Sequence, residues 1–220
     1  MNIVYGNIIS PYARKVYLTL DFKGVPYETI DVLPHDESPA FRATSYLGKV
    51  PGFEDEHLKV ADSSVICDYL EHKYPTPSLY PQGAAVRARA LWLEEYADTR
   101  LQELLLHGIV MERLIKPLVY GQPTDAQRVA AILGDELPRE LDYLDGQVDS
   151  KPFLVGGGLT IADIAVVTAF INAKYAGYDV ESERWPGLAS YLQGIMALPL
   201  VAQRMQQEAE YFARVRSATS

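Results

Sequence analysis

The sequence predicts an α/β domain followed by an all-helical domain in one chain of 220 residues. Three observations support this fold class. Short strand and helix patterns alternate as far as Tyr74, two proline clusters follow, and every long segment after them has the apolar spacing of a helix. Hydrophobic residues make up 48% of the chain and charged residues 22%, which are the proportions of a globular protein and exclude intrinsic disorder.

The first elements predict a parallel strand–helix–strand unit. Asn2–Tyr5 has the pattern of a short strand. Ser10 is a good N-cap, and Pro11 suits the first helical position because its missing N–H costs nothing there. Gly24 is a plausible helix stop, and a second strand is expected over residues 25–32. A unit of this length is right-handed.

The next segments predict an antiparallel hairpin and one more helix. A short helix is expected over 39–44, and strands over 50–53 and 57–60 enclose an acidic turn. Residues 61–64 then cap a helix over 63–73, which has one apolar face. The order βαβ, helix, ββα predicts a small mixed sheet with helices packed on it.

The proline clusters at 75–78 and 81–83 stiffen a connection and stop helices on both sides. We therefore predict a first domain over 1–78, a linker over 79–84 and a helical domain over 85–220. The helical domain is expected to contain five helices, over 85–118, 124–148 (capped by Thr124), 160–175, 186–197 and 199–214.

Composition excludes several classes of function. The net charge is -9, and no basic run offsets it, so binding to nucleic acid is not expected. No apolar run reaches the length of about 18 residues that a membrane span needs, and the start lacks the pattern of a secretory signal, so we expect a cytoplasmic protein. One cysteine and four histidines without metal-ligand spacing predict no metal site; these residues are Cys67, His35, His57, His72 and His107.

Three short segments have both a structural and a functional interpretation. Ser10 is a helix cap, but its hydroxyl can also donate to an anion above the helix end. Asp62-Ser63-Ser64 is ordinary capping, or a site for an α-amino acid head group, with the ammonium on Asp62 and the carboxylate at the helix end. Val50-Pro51 is a trans proline at an edge strand, or a cis bond that turns the Val50 backbone toward a bound peptide.

In combination, four motifs resemble the cytosolic glutathione transferases along nearly the whole chain. They are Ser10-Pro-Tyr-Ala-Arg-Lys-Val-Tyr17, Gly48-Lys-Val-Pro51, Ala61-Asp-Ser-Ser64 before Cys67-Asp-Tyr-Leu70, and the Thr160-Ile-Ala-Asp163 capping box after a glycine loop. The resemblance implies a thioredoxin-like N-terminal domain that binds glutathione, an all-α C-terminal domain and a homodimer. Within that family, the chain resembles the serine-type members of the theta, zeta and beta kind.

The resemblance also implies roles for individual residues. Val50, before a cis Pro51, should pair with the cysteinyl backbone of glutathione, while Asp62 and Ser63 hold the γ-glutamyl end. Lys49 and His35 should meet the glycyl carboxylate. Two residues depart from the family pattern. Asp62 replaces the commoner Glu, and Ser45-Tyr46 stands where the family often has Asn-Pro.

Ser10 occupies the position of the activating hydroxyl in the serine-type classes, with Tyr5 and Tyr12 as alternatives. The activated thiol is expected to attack an apolar electrophile over the long helix, on the face of Tyr96, Leu101, Leu104 and Leu105. Two other classes of function stay open: a glutathione-dependent disulfide or peroxide reductase, and a non-catalytic regulatory or binding protein of the same fold.

Overall fold

The computed structural model describes residues 1–218, with side chains as far as Arg214. It divides into two compact units, one formed by Met1–Leu79 together with the segment from Leu198 onward, and one formed by Tyr80–Ala197. The predicted helical domain, 85–220, includes that last segment, so the compact units differ from the predicted domains there. Residues 219 and 220 of the predicted domain lie outside the described residues.

The first unit has a mixed four-stranded sheet with helices, which confirms the α/β prediction. The strand order is β2-β1-β3-β4, with β1 parallel to β2 and antiparallel to β3, and β3 antiparallel to β4. Its elements before the linker are β1 (Asn2–Tyr5), α1 (Pro11–Phe22), β2 (Tyr27–Ile30), α2 (Pro39–Thr44), β3 (Gly52–Glu54), β4 (Lys59–Ala61) and α3 (Ser63–Lys73).

The second unit is helical, which confirms the all-α prediction. Helix α4 covers 84–119 and α5 covers 126–148, and both contain turns with π-helical hydrogen bonding: Ala97–Leu101 and Leu105–Ile115 in α4, and Ile132–Glu136 in α5. The remaining helices of this unit are α6 (Ile161–Tyr175) and α7 (Pro186–Met196). The last helix of the chain, α8 (Pro199–Ala218), belongs to the first unit.

The start of α5 differs from the prediction that Thr124 caps it. The N-cap is Asp125, whose carboxylate accepts from the amide of Arg128 at 2.9 Å. The Thr124 hydroxyl instead donates to the carbonyl of Glu112 at 2.8 Å. A carboxylate accepts a hydrogen bond from a helix amide as readily as a hydroxyl does, so the neighbouring residue, Asp125, serves as the N-cap.

The predicted capping box at the start of α6 is confirmed. The Asp163 carboxylate accepts from the amide and hydroxyl of Thr160 at 2.8 and 2.9 Å. It also accepts from the amide of Leu154 at 2.8 Å and the hydroxyl of Tyr191 at 2.9 Å. Burial raises the pKa of this carboxyl, while the hydrogen bonds act against that rise. The box therefore anchors both the preceding loop and α7 to the most apolar helix of the unit.

Candidate functional site

Four segments that carry candidate residues meet at one end of the sheet. Tyr5, the last residue of β1, pairs with Ile30, the last residue of β2, and with Gly52, the first of β3. Gly52 in turn pairs with Ala61, the last residue of β4. The chain therefore leaves β1 toward Ser10, leaves β2 toward His35, enters β3 through Val50-Pro51, and leaves β4 at Asp62, all from the same end.

A tight loop joins β1 to the N-terminus of α1 at this end. Gly6 has no room for a side chain, because an added Cβ would lie 2.9 Å from that of Ala13 and 3.8 Å from that of Pro51. The loop after Gly6 is fixed by Asn7. Its side-chain oxygen accepts from the amide of Ile9 at 3.1 Å, and its carbonyl accepts from the amide of Ser10 at 3.0 Å.

Ser10 is the N-cap of α1, as predicted. Its hydroxyl accepts from the amide of Ala13 at 3.3 Å, and its carbonyl accepts from the amide of Arg14 at 2.8 Å. The side chain is half-buried. A hydroxyl that accepts one hydrogen bond still has a proton to donate, so the cap geometry leaves Ser10 able to hydrogen-bond an anion above the helix end.

Tyr5 is poorly suited to activating a thiol. Its side chain is buried beside Val32 and Phe41, and its hydroxyl donates to the carboxylate of Glu54 at 3.0 Å. Burial and the Glu54 charge raise the pKa of the phenol. Tyr12, the other alternative, lies in the first turn of α1 and is half-buried.

The Val50–Pro51 peptide bond is cis, as the resemblance implied. Pro51 is buried, and Val50 packs at the edge of the apolar cluster that contains Tyr5 and Phe41. The preceding turn is closed by Ser45, a buried residue whose hydroxyl donates to the carbonyl of Lys49 at 2.7 Å. The departure from Asn-Pro at this position therefore leaves the turn before Val50 closed by a side-chain hydrogen bond.

His35 and Lys49, the predicted glycyl-carboxylate residues, are both exposed, and a backbone hydrogen bond joins the two segments that carry them. The amide of His35 donates to the carbonyl of Gly48 at 2.6 Å, next to Lys49. Gly48 has φ of +66°, and an added Cβ would lie 2.5 Å from Arg42 Nη1 and 3.3 Å from His35 Nδ1. The Arg42 guanidinium and the His35 ring thus both lie close to this turn.

Asp62 is the N-cap of α3 and an exposed residue with φ of +84° and ψ of 125°, a backbone conformation that residues other than glycine rarely adopt. Its carboxylate accepts from the amides of Ser64 and Val65 at 3.0 and 3.2 Å. Ser63 is buried at the first helical position. Both interpretations of this segment are thus compatible with the geometry, because the cap leaves other faces of the carboxylate to solvent.

Two residues of this end of the sheet were missed by the sequence interpretation. Arg42 lies against Gly48 and pairs with Glu37 at 3.7 Å. Lys15 is fully buried on α1, and its ammonium donates to the hydroxyl of Ser64 at 2.8 Å. Spacing gave no signal for Lys15, because it lies off the apolar face that Ala13, Val16, Tyr17 and Leu20 form on α1.

The predicted electrophile face is not exposed. Leu101, Leu104 and Leu105 are fully buried, and α6 packs against α4 along much of its length. Tyr96 is 7% exposed, and its hydroxyl donates to Glu140 at 2.6 Å. This part of the prediction is wrong, because the apolar face serves as the core of the helical unit.

Cys67 is fully buried, as expected for a lone helical cysteine, and its Sγ lies 3.2 Å from the hydroxyl of Thr19.

Across residues 1–218, no cluster of three or more His, Cys, Asp and Glu side chains has an arrangement that could hold a metal ion. Over the same residues, no helix is both long and apolar enough to cross a membrane.

Comparisons with known proteins agree with this fold. Residues 4–78 match the family model for the glutathione S-transferase N-terminal domain, and residues 111–194 match the model for the C-terminal domain of the same family. The chain belongs to the glutathione S-transferase family.

Individual relatives are similar to this chain along most of its length. The chain is 30% identical to human glutathione S-transferase theta-1, over 94% of this chain and 86% of the relative. The crystal structure of a glutathione S-transferase from Rhodospirillum rubrum is 30% identical, with a TM-score of 0.81 over 91% of this chain and 90% of that one. The apo form of human glutathione S-transferase T1-1 is 29% identical, with a TM-score of 0.83 over 96% and 89%.

Proposed function

We propose that the protein is a glutathione transferase in which the common end of the four strands binds glutathione and Ser10 activates its thiol. The chain is a transferase of its family, and glutathione is its substrate. The observation that carries the residue assignment is the meeting of Ser10, Val50-Pro51 and Asp62 at the ends of three adjacent strands. A bound tripeptide can contact all three of these segments at once.

The spacing of the strands fits such a ligand. Neighbouring strands lie about 4.8 Å apart, so β1 and β4, with β3 between them, are separated by about 10 Å. Three extended residues span about the same distance. The γ-glutamyl end meets Asp62 and Ser63, the cysteinyl backbone pairs with Val50, and the glycyl carboxylate lies toward Lys49 and His35.

Thiol activation follows from acid–base chemistry. A free thiol has a pKa of about 8.5, so only a few per cent is thiolate at neutral pH. One hydrogen bond from Ser10 and the positive end of the α1 dipole favour the anion. A fall of one pKa unit corresponds to about 1.4 kcal/mol. The thiolate then forms a carbon–sulfur bond with the electrophile, and the electron pair of the bond that breaks leaves with the leaving group or, in an addition, moves onto the neighbouring atom.

Binding and chemistry are tested separately. Isothermal titration with reduced glutathione measures binding, and the ultraviolet absorbance of bound thiolate against pH measures activation. A panel of aryl halides, activated alkenes, peroxides and disulfides then separates transfer from reduction. Binding of glutathione without a lowered thiol pKa, and without turnover of any electrophile, would contradict the proposed activity.

Assembly and location are further parts of the proposal. We propose a homodimer, supported by exposed apolar side chains in each unit, among them Tyr46 at 87% and Leu47 at 65% in the first and Trp92 at 51% in the second. Sedimentation at micromolar concentration tests it, since a species of 24.5 kDa at every concentration would contradict it. Cell fractionation tests the cytoplasmic location.

Metal independence and the domain limits also stay proposals. Activity that survives dialysis against a chelator supports metal independence.

The domain limits are tested by limited proteolysis, which should cut first in the linker 79–84 if 1–78 and 85–220 are the domains. The family models end at residue 78 and begin again at 111, which is compatible with these limits.

A further inference from the structure

We infer that Asn7 is a positioning residue for Ser10, and that Tyr211 of the last helix, α8, is one of the groups that hold Asn7 in place. The inference rests on the proposed function, because it concerns how the proposed activating hydroxyl is kept in position. Tyr211 and the side-chain amide group of Asn7 have no part in the assignments above.

The Asn7 side chain holds three segments of the first unit together. It is buried, with 5% of the residue exposed. Its oxygen accepts from the amide of Ile9 at 3.1 Å, within its own loop. Its nitrogen donates to the Asp31 carboxylate at 2.9 Å, directly after β2, and to the Tyr211 hydroxyl at 3.3 Å, on α8. A side-chain amide has one oxygen and two N–H donors, so each of these groups has a partner.

The same residue determines where Ser10 lies. The Asn7 carbonyl accepts from the amide of Ser10 at 3.0 Å, which closes a turn over residues 7–10. The amide of Gly6 donates to the carbonyl of Ile30 at 3.0 Å, so this turn begins where the pairing of β1 with β2 ends. A misplacement of about 1 Å at a reacting group can lower a rate by about a hundredfold. The turn that carries Ser10 therefore has to be held closely.

The contact with Tyr211 completes a row of polar contacts between α8 and the segment of α1 with its preceding loop. In order along α8, the contacts are Arg204 with Asp21, Glu208 with Arg14, and Tyr211 with Asn7. The partners follow in reverse order along the chain, so α8 is antiparallel to α1. A helix that is fixed at several points along its length gives the Tyr211 hydroxyl a defined place. The loop that leads to Ser10 is thereby held by α8 as well as by the sheet.

Two ligands separate positioning from peptide binding. The ultraviolet absorbance of bound glutathione against pH reports the thiol pKa, whereas S-methylglutathione has no thiol and reports the binding of the peptide alone. In Asn7→Ala the thiol pKa should rise by about half a unit to one unit, which corresponds to about threefold to tenfold less thiolate at pH values below it. The affinity for S-methylglutathione, measured by titration calorimetry, should stay within about twofold of wild type, because the residues proposed to bind the peptide are unchanged.

Tyr211→Phe tests the contribution of α8. This variant leaves one Asn7 N–H without its acceptor but keeps the turn over residues 7–10 closed. The thiol pKa of bound glutathione should therefore rise in the same direction as in Asn7→Ala, by a smaller amount.

Asn2 supplies the matched control. It is the first residue of β1, at the opposite end of the strand from the site, and it is 7% exposed. Its side-chain amide donates to the carbonyl of Pro26 at 3.0 Å. Asn2→Ala also removes a buried side-chain amide next to the sheet, but it should leave the thiol pKa at its wild-type value. A general loss of stability would accompany both alanine variants, whereas a loss of positioning changes the thiol pKa in Asn7→Ala alone.

A double variant shows whether Asn7 acts through Ser10. If it does, Asn7→Ala combined with Ser10→Ala should have the thiol pKa of Ser10→Ala, because removing the positioning residue has no further effect once the positioned hydroxyl is gone. Additive rises in the two single variants would show that Asn7 acts independently of Ser10 and would overturn the inference.

Failure of the inference and failure of the proposed function give different results. A wild-type thiol pKa in a folded Asn7→Ala protein would overturn the inference while the proposed function stands. If Asn7→Ala does not fold, Tyr211→Phe takes its place, and an unchanged thiol pKa in that variant would overturn the inference. If wild type does not bind glutathione, or if Ser10→Ala leaves the thiol pKa unchanged, the proposed function fails and the inference fails with it.

Discussion

Arg14 and Glu208 form a fully buried, two-pronged ion pair between α1 and α8. Arg14 Nε and Nη2 donate to the two Glu208 oxygens at 2.6 and 2.8 Å, and both side chains have no exposed surface. Ser10, the residue proposed to activate the thiol, lies one helical turn before Arg14. The last helix of the chain is thus fixed to the helix that carries the proposed catalytic group.

Removing one partner of this ion pair should lower the free energy of unfolding strongly, while replacing both partners should lower it much less. In Arg14→Met the Glu208 carboxylate is left buried without its main cation, which should lower the free energy of unfolding by about 3–5 kcal/mol. Replacing both residues, as Arg14→Met with Glu208→Leu, removes the uncompensated charge and should recover most of that loss. Urea unfolding of the four proteins in the cycle measures the coupling.

A half-exposed pair in the helical unit is the control for that cycle. Arg100 donates to Glu140 at 2.8 Å, with 35% of its side chain exposed. Arg100→Met should lower the free energy of unfolding by no more than about 1 kcal/mol. An Arg14→Met protein that loses as little as Arg100→Met would show that the buried pair has no special part in fixing α8.

Tyr5→Phe should leave catalysis unchanged. The Tyr5 hydroxyl is bound to Glu54, and its raised pKa makes it a weak donor to a thiolate. We expect the thiol pKa of bound glutathione, the Michaelis constant and turnover to stay within about twofold of wild type, and stability to fall by about 1 kcal/mol. Thiolate absorbance against pH is the deciding measurement. A rise of one unit in the thiol pKa would move the activating role from Ser10 to Tyr5.

Sequence reasoning succeeded where local chemistry and periodicity act alone. The strand Asn2–Tyr5, the capped start of α1 at Ser10 and the capping box of Thr160 and Asp163 depend on neighbouring residues, and the structure contains each of them. The cis bond before Pro51 is different. The base rate of cis bonds favoured trans, and only the resemblance to a family predicted the isomer that the structure has.

It failed where partners distant in the sequence decide the outcome. An apolar helix face can be a substrate surface or a core, and periodicity is the same in both, so Leu101 and Leu104 were assigned to the wrong one. The packing of α8 within the first unit depends on the ion pair between Glu208 and Arg14, which lies 194 residues earlier in the chain. A single charged residue on a helix pattern does not reveal such a partner.

Asp62 variants should separate binding from capping. Asp62→Asn keeps the side-chain shape and an oxygen for the amides of Ser64 and Val65, but it removes the charge proposed to hold the ligand ammonium. Both Asp62→Asn and Asp62→Ala should raise the Michaelis constant for glutathione with little change in turnover, since this interaction is equal in ground and transition states. Only Asp62→Ala should lose the cap, at about 1 kcal/mol.

Steady-state kinetics and thermal unfolding of the two variants test this separation. The proposed role would be contradicted by a large fall in turnover with an unchanged Michaelis constant. Equal losses of stability in both variants would instead show that the charge, and not the cap oxygen, stabilises the start of α3.

Ser10 is the residue on which the proposed mechanism depends, and Ser10→Ala removes both its cap and its proposed donor. If the donor matters, the thiol pKa of bound glutathione should rise by about one unit or more, and the rate at pH values below that pKa should fall about tenfold. Loss of the cap alone would lower stability by about 0.5–2 kcal/mol and leave thiol acidity unchanged.

Asp125→Ala removes a comparable side-chain cap from α5 and serves as the control. Ser10→Thr should retain part of both roles. Thiolate absorbance of bound glutathione is measured against pH in all four proteins. Superimposable curves for wild type and Ser10→Ala would exclude Ser10 as the activator.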